Sequence, residues 1–115
     1  RRINAEFLSK RLSKLDYIEC PKTFSNREHV FHQYTVRIKN GKREDLIKAL
    51  EKAGIGYGIY YPLPLHKQPL YIELGYNDRL PKTEKASEEV ISIPVHPSLK
   101  KEDLEYIVSF FEEFK

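Results

Sequence analysis

The chain contains no methionine, a single cysteine (Cys20), and no apolar run near the ~18 residues that a membrane-spanning helix needs. One cysteine closes no internal disulfide, so the fold must rest on its core, and a reducing, cytoplasmic setting is expected. The first residues lack the basic start, apolar stretch and small-residue cleavage site of a secretory signal. Neither a membrane nor nucleic acid is expected as a partner. The 20 Lys and Arg against 17 Asp and Glu leave a net charge of only +3. Residues 1–50 carry +6 and residues 51–115 carry −3, and the basic residues are mostly singles on polar faces rather than a dense stripe. The phosphate-binding glycine signatures are also lacking. Gly54-Ile55-Gly56-Tyr57-Gly58 leaves a helix and enters a strand, whereas a dinucleotide fingerprint needs strand, then glycines, then helix.

What is present is one small domain's worth of sequence, 115 residues of which 40% are hydrophobic, enough for a core without staples. Ile3, Phe7, Leu8, Leu12 and Leu15 recur near the helical period over residues 1–15. No capping residue precedes Arg1, so this helix is expected to be the tail of something longer. Residues 16–29 lack a period and read as a loop. Residues 30–38 alternate, with Val30, His32, Tyr34, Val36 and Ile38 on one face, predicting a strand with a buried His32. Residues 43–53 bring Leu46, Ile47, Ala49, Leu50 and Ala53 together as a helix, stopped by Gly54.

A second strand is predicted from Ile55 to Tyr61, with Gly56, Gly58 and Tyr60 on one face. Two glycines on a strand face mark close approach by a ligand or by another part of the chain. Residues 62–81 then hold four prolines and two tyrosines, a connection too long to be a mere joint. Within it Pro69–Leu74 can form one or two helical turns, with Gly75 as the stop. Pro81 opens a further helix, Ile91–Val95 reads as a short strand, and Leu104, Ile107, Val108, Phe111 and Phe114 make the last helix plain. The order predicts an α+β fold, a small mixed or antiparallel three-stranded sheet with helices on one face.

The residues offer few sites for chemistry. His29 and His32 fall on opposite strand faces, and no second cysteine or clustered His and Asp supports a metal. No serine has a defensible base, and no pair of carboxylates stands out. Arg37 reads as an ion-pair residue. His96 reads as structural. Tyr60, Tyr61, His66 and Gln68, by contrast, gather phenols, an imidazole and an amide within nine residues, groups that hold phosphates and sugar hydroxyls.

Several runs resemble one family in order and spacing. They are HVFHQYTVR (29–37), the A-G-I-G-x-G-I-x-Y-P turn from Ala53 to Pro62, P-L-H-x-Q-P from Pro64 to Pro69, E-K-A from Glu84, and S-x-P-x-H-P from Ser92 to Pro97. Together they resemble the C-terminal small domain of the DegT/DnrJ/EryC1/StrS aminotransferases. The resemblance implies a fold-type-I, pyridoxal-phosphate-dependent enzyme that moves an amino group, from glutamate, to a nucleotide-linked keto sugar in surface polysaccharide or amino-sugar biosynthesis. It implies that residues 1–15 belong to an interdomain helix and residues 16–115 to the small domain. The cofactor and its Schiff-base lysine, in an S-x-x-K or S-H-x-x-K motif, belong to a large domain outside this chain. The chain alone is then expected to bind no cofactor and to be inactive, and the intact enzyme to be a homodimer. Tyr61 and His66 match the family's positions for substrate contact. Tyr60 stands where the family commonly has histidine, at a ligand-facing place. The alternative is a non-enzymatic α+β binding or interaction module, to be told apart by the upstream sequence.

Overall fold

The computed structural model describes residues 1–114. Its elements run in the order α1 (Arg2–Leu12), β1 (Ile18–Glu19), β2 (Tyr34–Ile38), α2 (Arg43–Ala53), a 3-10 turn (Leu65–Lys67), α3 (Pro69–Glu73), α4 (Pro81–Glu89), β3 (Val90–Ile93) and α5 (Lys101–Glu113). The three strands form one antiparallel sheet with β2 in the middle. Tyr34 faces Ile93 and Val36 faces Ile91, so the apolar residues of both strands share one side. That side meets Ala5, Leu8 and Leu12 of α1, Leu46 and Leu50 of α2, and Leu104, Ile107, Val108 and Phe111 of α5 in a single core. The predicted α+β sheet with its helices is therefore the observed architecture.

Side chains and caps explain why these helices stop where they do. Gly54 adopts φ +67°, which turns the following N–H, of Ile55, back to the Leu50 carbonyl at 3.0 Å and ends α2. At the start of α5, Asp103 Oδ2 accepts the Lys100 N–H at 2.8 Å. At its end, the Tyr17 hydroxyl donates to the Phe111 carbonyl at 2.6 Å, a group the helix itself leaves without a partner. Arg11 of α1 grips Glu112 through both a Nε and an Nη donor, at 2.9 and 2.8 Å, and ties the two helices together at the surface.

The opposite face of the sheet is polar. Thr35 Oγ1 and Ser92 Oγ lie 2.7 Å apart, and Arg37 donates to Glu89 Oε2 at 3.0 and 2.6 Å. Arg43 donates to the carbonyls of Ser87 and Val90 and so secures the junction of α4 with β3. No helix among the described residues is long and apolar enough to cross a membrane.

Four readings of the sequence need correction. The first helix ends at Leu12, and Ile3 is exposed while Ala5 is buried. The central strand starts only at Tyr34. Phe31 takes φ +46°, with its N–H held by His29 Nδ1 at 2.9 Å, and this turn breaks the extended run. His32 is consequently exposed rather than a core histidine. The stretch 55–61 pairs at one point alone, Gly58 with Ser92, because Tyr60 folds back over Gly58 and Pro62 and Pro64 offer no N–H to a ladder. The third strand is instead β1, in the stretch read as a loop; two residues are too short to show alternation.

Candidate functional site

Gly58 joins the edge of the sheet through two bonds with Ser92, N–H to carbonyl at 2.9 Å and the reverse at 2.8 Å. From this anchor the chain runs to Tyr60, whose ring lies directly over Gly58. A Cβ at position 58 would stand 2.7 Å from Tyr60 Cζ and 2.9 Å from its hydroxyl. The close approach read from the glycines is therefore by a phenol two residues on. Gly56 has open space around it.

Tyr60 lines a cleft of about 260 Å³ between this segment and the end of β3. Arg1, His32, Tyr57, Ser92 and His96 also face it, and its lining holds no aspartate or glutamate. Arg1 further donates to the His32 carbonyl at 3.1 Å. Asn4 Nδ2 donates to the His96 carbonyl at 3.0 Å, which holds the far wall to α1. A concavity rich in hydroxyl, imidazole and guanidinium groups and free of carboxylates suits a phosphate or a sugar.

Tyr61 and His66 line two other concavities of about 310 Å³ each. Tyr61 is exposed beside Leu63, Pro64 and Val90; His66 faces Tyr71, Tyr76 and Leu80. The two hollows adjoin, since Leu65 and Thr83 line both, whereas neither contains Tyr60. The three residues are thus near in sequence but do not share one cavity within this chain.

The His66 side chain is only 9% exposed, and its Nε2 lies 3.0 Å from Glu84 Oε1. Lys67 Nζ stands 3.1 Å from Glu84 Oε2, and the Leu80 N–H donates to Oε1 at 3.2 Å. Hydrogen bonds from His66, Lys67 and Leu80 together hold the Glu84 carboxyl down to about 2. Sequence reading passed over Glu84. Its one signal was a glutamate in the first turn of a helix opened by proline, a place where carboxylates reach back to cap N–H groups.

Other candidates resolve plainly. Arg37 is taken by Glu89 across the polar face. No group of three or more His, Cys, Asp or Glu among the described residues could hold a metal ion. The spacing S-x-x-K, expected in the large domain, also occurs within this chain, as Ser98-Leu99-Lys100-Lys101. Lys101 is the exposed first residue of α5, beside Glu102 and Asp103. A Schiff-base lysine is a desolvated amine in a closed site, and the exposed Lys101 does not fit that role.

Comparison with known proteins gives a consistent picture. The chain is 46% identical over 100 residues to a "Pleiotropic regulatory protein" of Geobacillus stearothermophilus, covering 86% of this chain and 26% of that protein. It is 32% identical over 109 residues to the UDP-N-acetyl-3-dehydro-alpha-D-glucosamine 3-aminotransferase of Acidithiobacillus ferrooxidans, covering 95% of this chain and 28% of that one. The crystal structure of NtdA from Bacillus subtilis with bound cofactor PMP superposes with a TM-score of 0.83 at 28% identity, over 97% of this chain and 27% of that one. The chain thus spans about a quarter of the length of the curated relatives it matches. The profile of the DegT/DnrJ/EryC1/StrS aminotransferase family matches residues 1–112. With the sheet, the Gly54–His66 turn and the flanking helices all in that register, the chain belongs to the DegT/DnrJ/EryC1/StrS aminotransferase family.

Proposed function

We propose that this chain is the C-terminal small domain of a pyridoxal-phosphate-dependent aminotransferase that aminates a nucleotide-linked keto sugar. Residues 1–15 serve as the end of an interdomain helix and residues 16–115 as the small domain. The observation that carries the reading is the family match across residues 1–112, which includes the whole run from Gly54 to His66. The relative from A. ferrooxidans, named for a UDP-sugar substrate, supports the substrate class. Tyr60, Tyr61 and His66 hold the sugar nucleotide, with Tyr60 contributing a hydroxyl at the carboxylate-free cleft. Glutamate is the amino donor, the enzyme works as a cytoplasmic homodimer, and the cofactor belongs to the large domain. The residues of this chain bind and orient the sugar; no step of the amino transfer is assigned to them.

Kinetics of the intact enzyme test this. His66→Ala should raise KM for the sugar nucleotide about tenfold or more, equivalent to about 1.4 kcal/mol. The half-reaction with glutamate should change far less. Equal loss in both half-reactions, with lower thermal stability, would show the histidine to be structural. Tyr60→His should alter substrate preference; no change would place Tyr60 outside the pocket.

A second reading is favoured by one observation, the name "Pleiotropic regulatory protein" of the relative with 46% identity. Under it the chain is part of a binding or interaction module without catalysis. Turnover of a keto-sugar nucleotide by the intact protein would exclude it.

A further inference from the structure

Residues 62–79 have little to hold them in place. Leu63, Leu65, Leu70, Ile72, Leu74 and Tyr76 are all exposed, and only Pro64 and the His66 side chain are largely covered. The backbone bonds at Lys67, Gln68, Tyr71, Gly75 and Tyr76 are local and close turns within the segment. The Gln68 side chain also bonds inward, to the Leu63 carbonyl. A segment with so few buried contacts opens locally at small cost unless something else secures it.

Among the described residues, every side-chain hydrogen bond and ion pair that leaves this segment ends on one carboxylate. His66 Nε2 reaches Glu84 Oε1 and Lys67 Nζ reaches Oε2, both from the first half of the segment. From the other end, the N–H of Leu80 donates to Oε1. Leu80 is the N-cap position of α4 and has no side-chain cap of its own, while Pro81 gives up its N–H. Glu84, one turn into α4, fills that role from inside the helix.

We propose that Glu84 is a positioning residue. Its carboxylate pins both ends of the 62–80 segment onto α4, and through it sets the direction in which Tyr60 and Tyr61 leave the sheet edge at Gly58. The positioning half of this rests on the reading of those tyrosines given above; the fastening half does not. The acceptor geometry explains the choice of residue. Two oxygens with about four lone-pair sites serve three donors from three directions, which an alcohol or amide does less well. The three donors hold the Glu84 carboxyl down to about 2, so it accepts as a carboxylate at neutral pH.

Two measurements on the 115-residue chain test the fastening. Trypsin cuts after Arg79, and the N–H of the bond it must cleave is the one held by Glu84. Glu84→Ala should speed cleavage at Arg79 and amide exchange at Leu80 about tenfold or more, with the global unfolding transition in place. Glu84→Gln keeps an oxygen for His66 and Leu80 but loses the acceptor for Lys67, and should fall between the parent chain and Glu84→Ala. Unchanged rates in Glu84→Ala would overturn the proposal.

The positioning half is read in the intact enzyme, where Glu84→Ala should raise KM for the sugar nucleotide about tenfold and spare the glutamate half-reaction. Tyr61→Ala is measured beside it. If Tyr61→Ala raises KM while Glu84→Ala loosens the segment without raising it, the positioning role is refuted. If neither tyrosine variant changes KM, the substrate reading of the tyrosines fails, while the exchange and cleavage rates still decide the fastening.

Discussion

Removing one oxygen, in Tyr17→Phe, isolates what holds the end of α5. The hydroxyl donates to the Phe111 carbonyl at 2.6 Å, and that carbonyl is among the last four of the helix, which have no partner within the helix itself. Tyr17 is 5% exposed and Phe111 is fully buried, so water cannot replace the lost donor. The ring itself keeps its contacts, 5.7 Å from the Phe114 ring and under the Lys42 ammonium. The loss is then one hydrogen bond to a buried carbonyl, about 1–2 kcal/mol. In urea unfolding followed by circular dichroism, this lowers the midpoint by about 0.5–1.5 M at unchanged slope. A midpoint that does not move would refute the argument that this bond caps α5.

The same phenol makes a pH prediction. Burial pushes the Tyr17 and Tyr34 hydroxyls well above the ordinary tyrosine value. A group raised in the folded state stabilises fully below its unfolded pKa of about 10 and loses that contribution as pH climbs through the folded value. The urea midpoint should therefore fall above about pH 10, and less steeply in a Tyr17→Phe, Tyr34→Phe double variant.

Further outcomes follow from other contacts. Arg37→Ala leaves Glu89, 14% exposed, with only the Lys85 ammonium at 3.8 Å, and should cost about 1–2 kcal/mol in the same unfolding assay. Gly58→Ala puts a methyl where the Tyr60 ring now lies; because that ring is the mobile end of an exposed side chain, unfolding should shift little while KM of the intact enzyme rises. Mixed with pyridoxal phosphate and reduced with borohydride, the 115-residue chain should show no single lysine labelled stoichiometrically, and such labelling at Lys101 would contradict its exposed, charged setting.

Much of this fold lies open in the sequence because its signals are local. The stripe Leu104, Ile107, Val108, Phe111 is a helix in any context that offers an apolar surface. Gly54 and Gly75 stop helical segments at φ +67° and +89°, angles that other residues adopt only under strain. Pro81 opens α4 for an equally local reason. The proline-rich segment and its short helix are legible in the same way, and so is the family register.

What tertiary structure decided are matters of partnership between distant residues. Whether 55–61 is a strand depends on a neighbour to pair with, and Ser92 supplies one bridge only. Ile18 and Glu19 become a strand because Ile38 and Arg37 lie opposite them, which no two-residue pattern can announce. His32 alternates correctly for burial, yet the left-handed turn at Phe31 takes it out of the sheet. Glu84 looks like any surface glutamate until His66, Lys67 and Leu80 converge on it from two ends of a loop. Periodicity reports which face of an element is apolar; it carries no record of which polar groups meet, since hydrogen bonds depend on distances that only the folded chain sets.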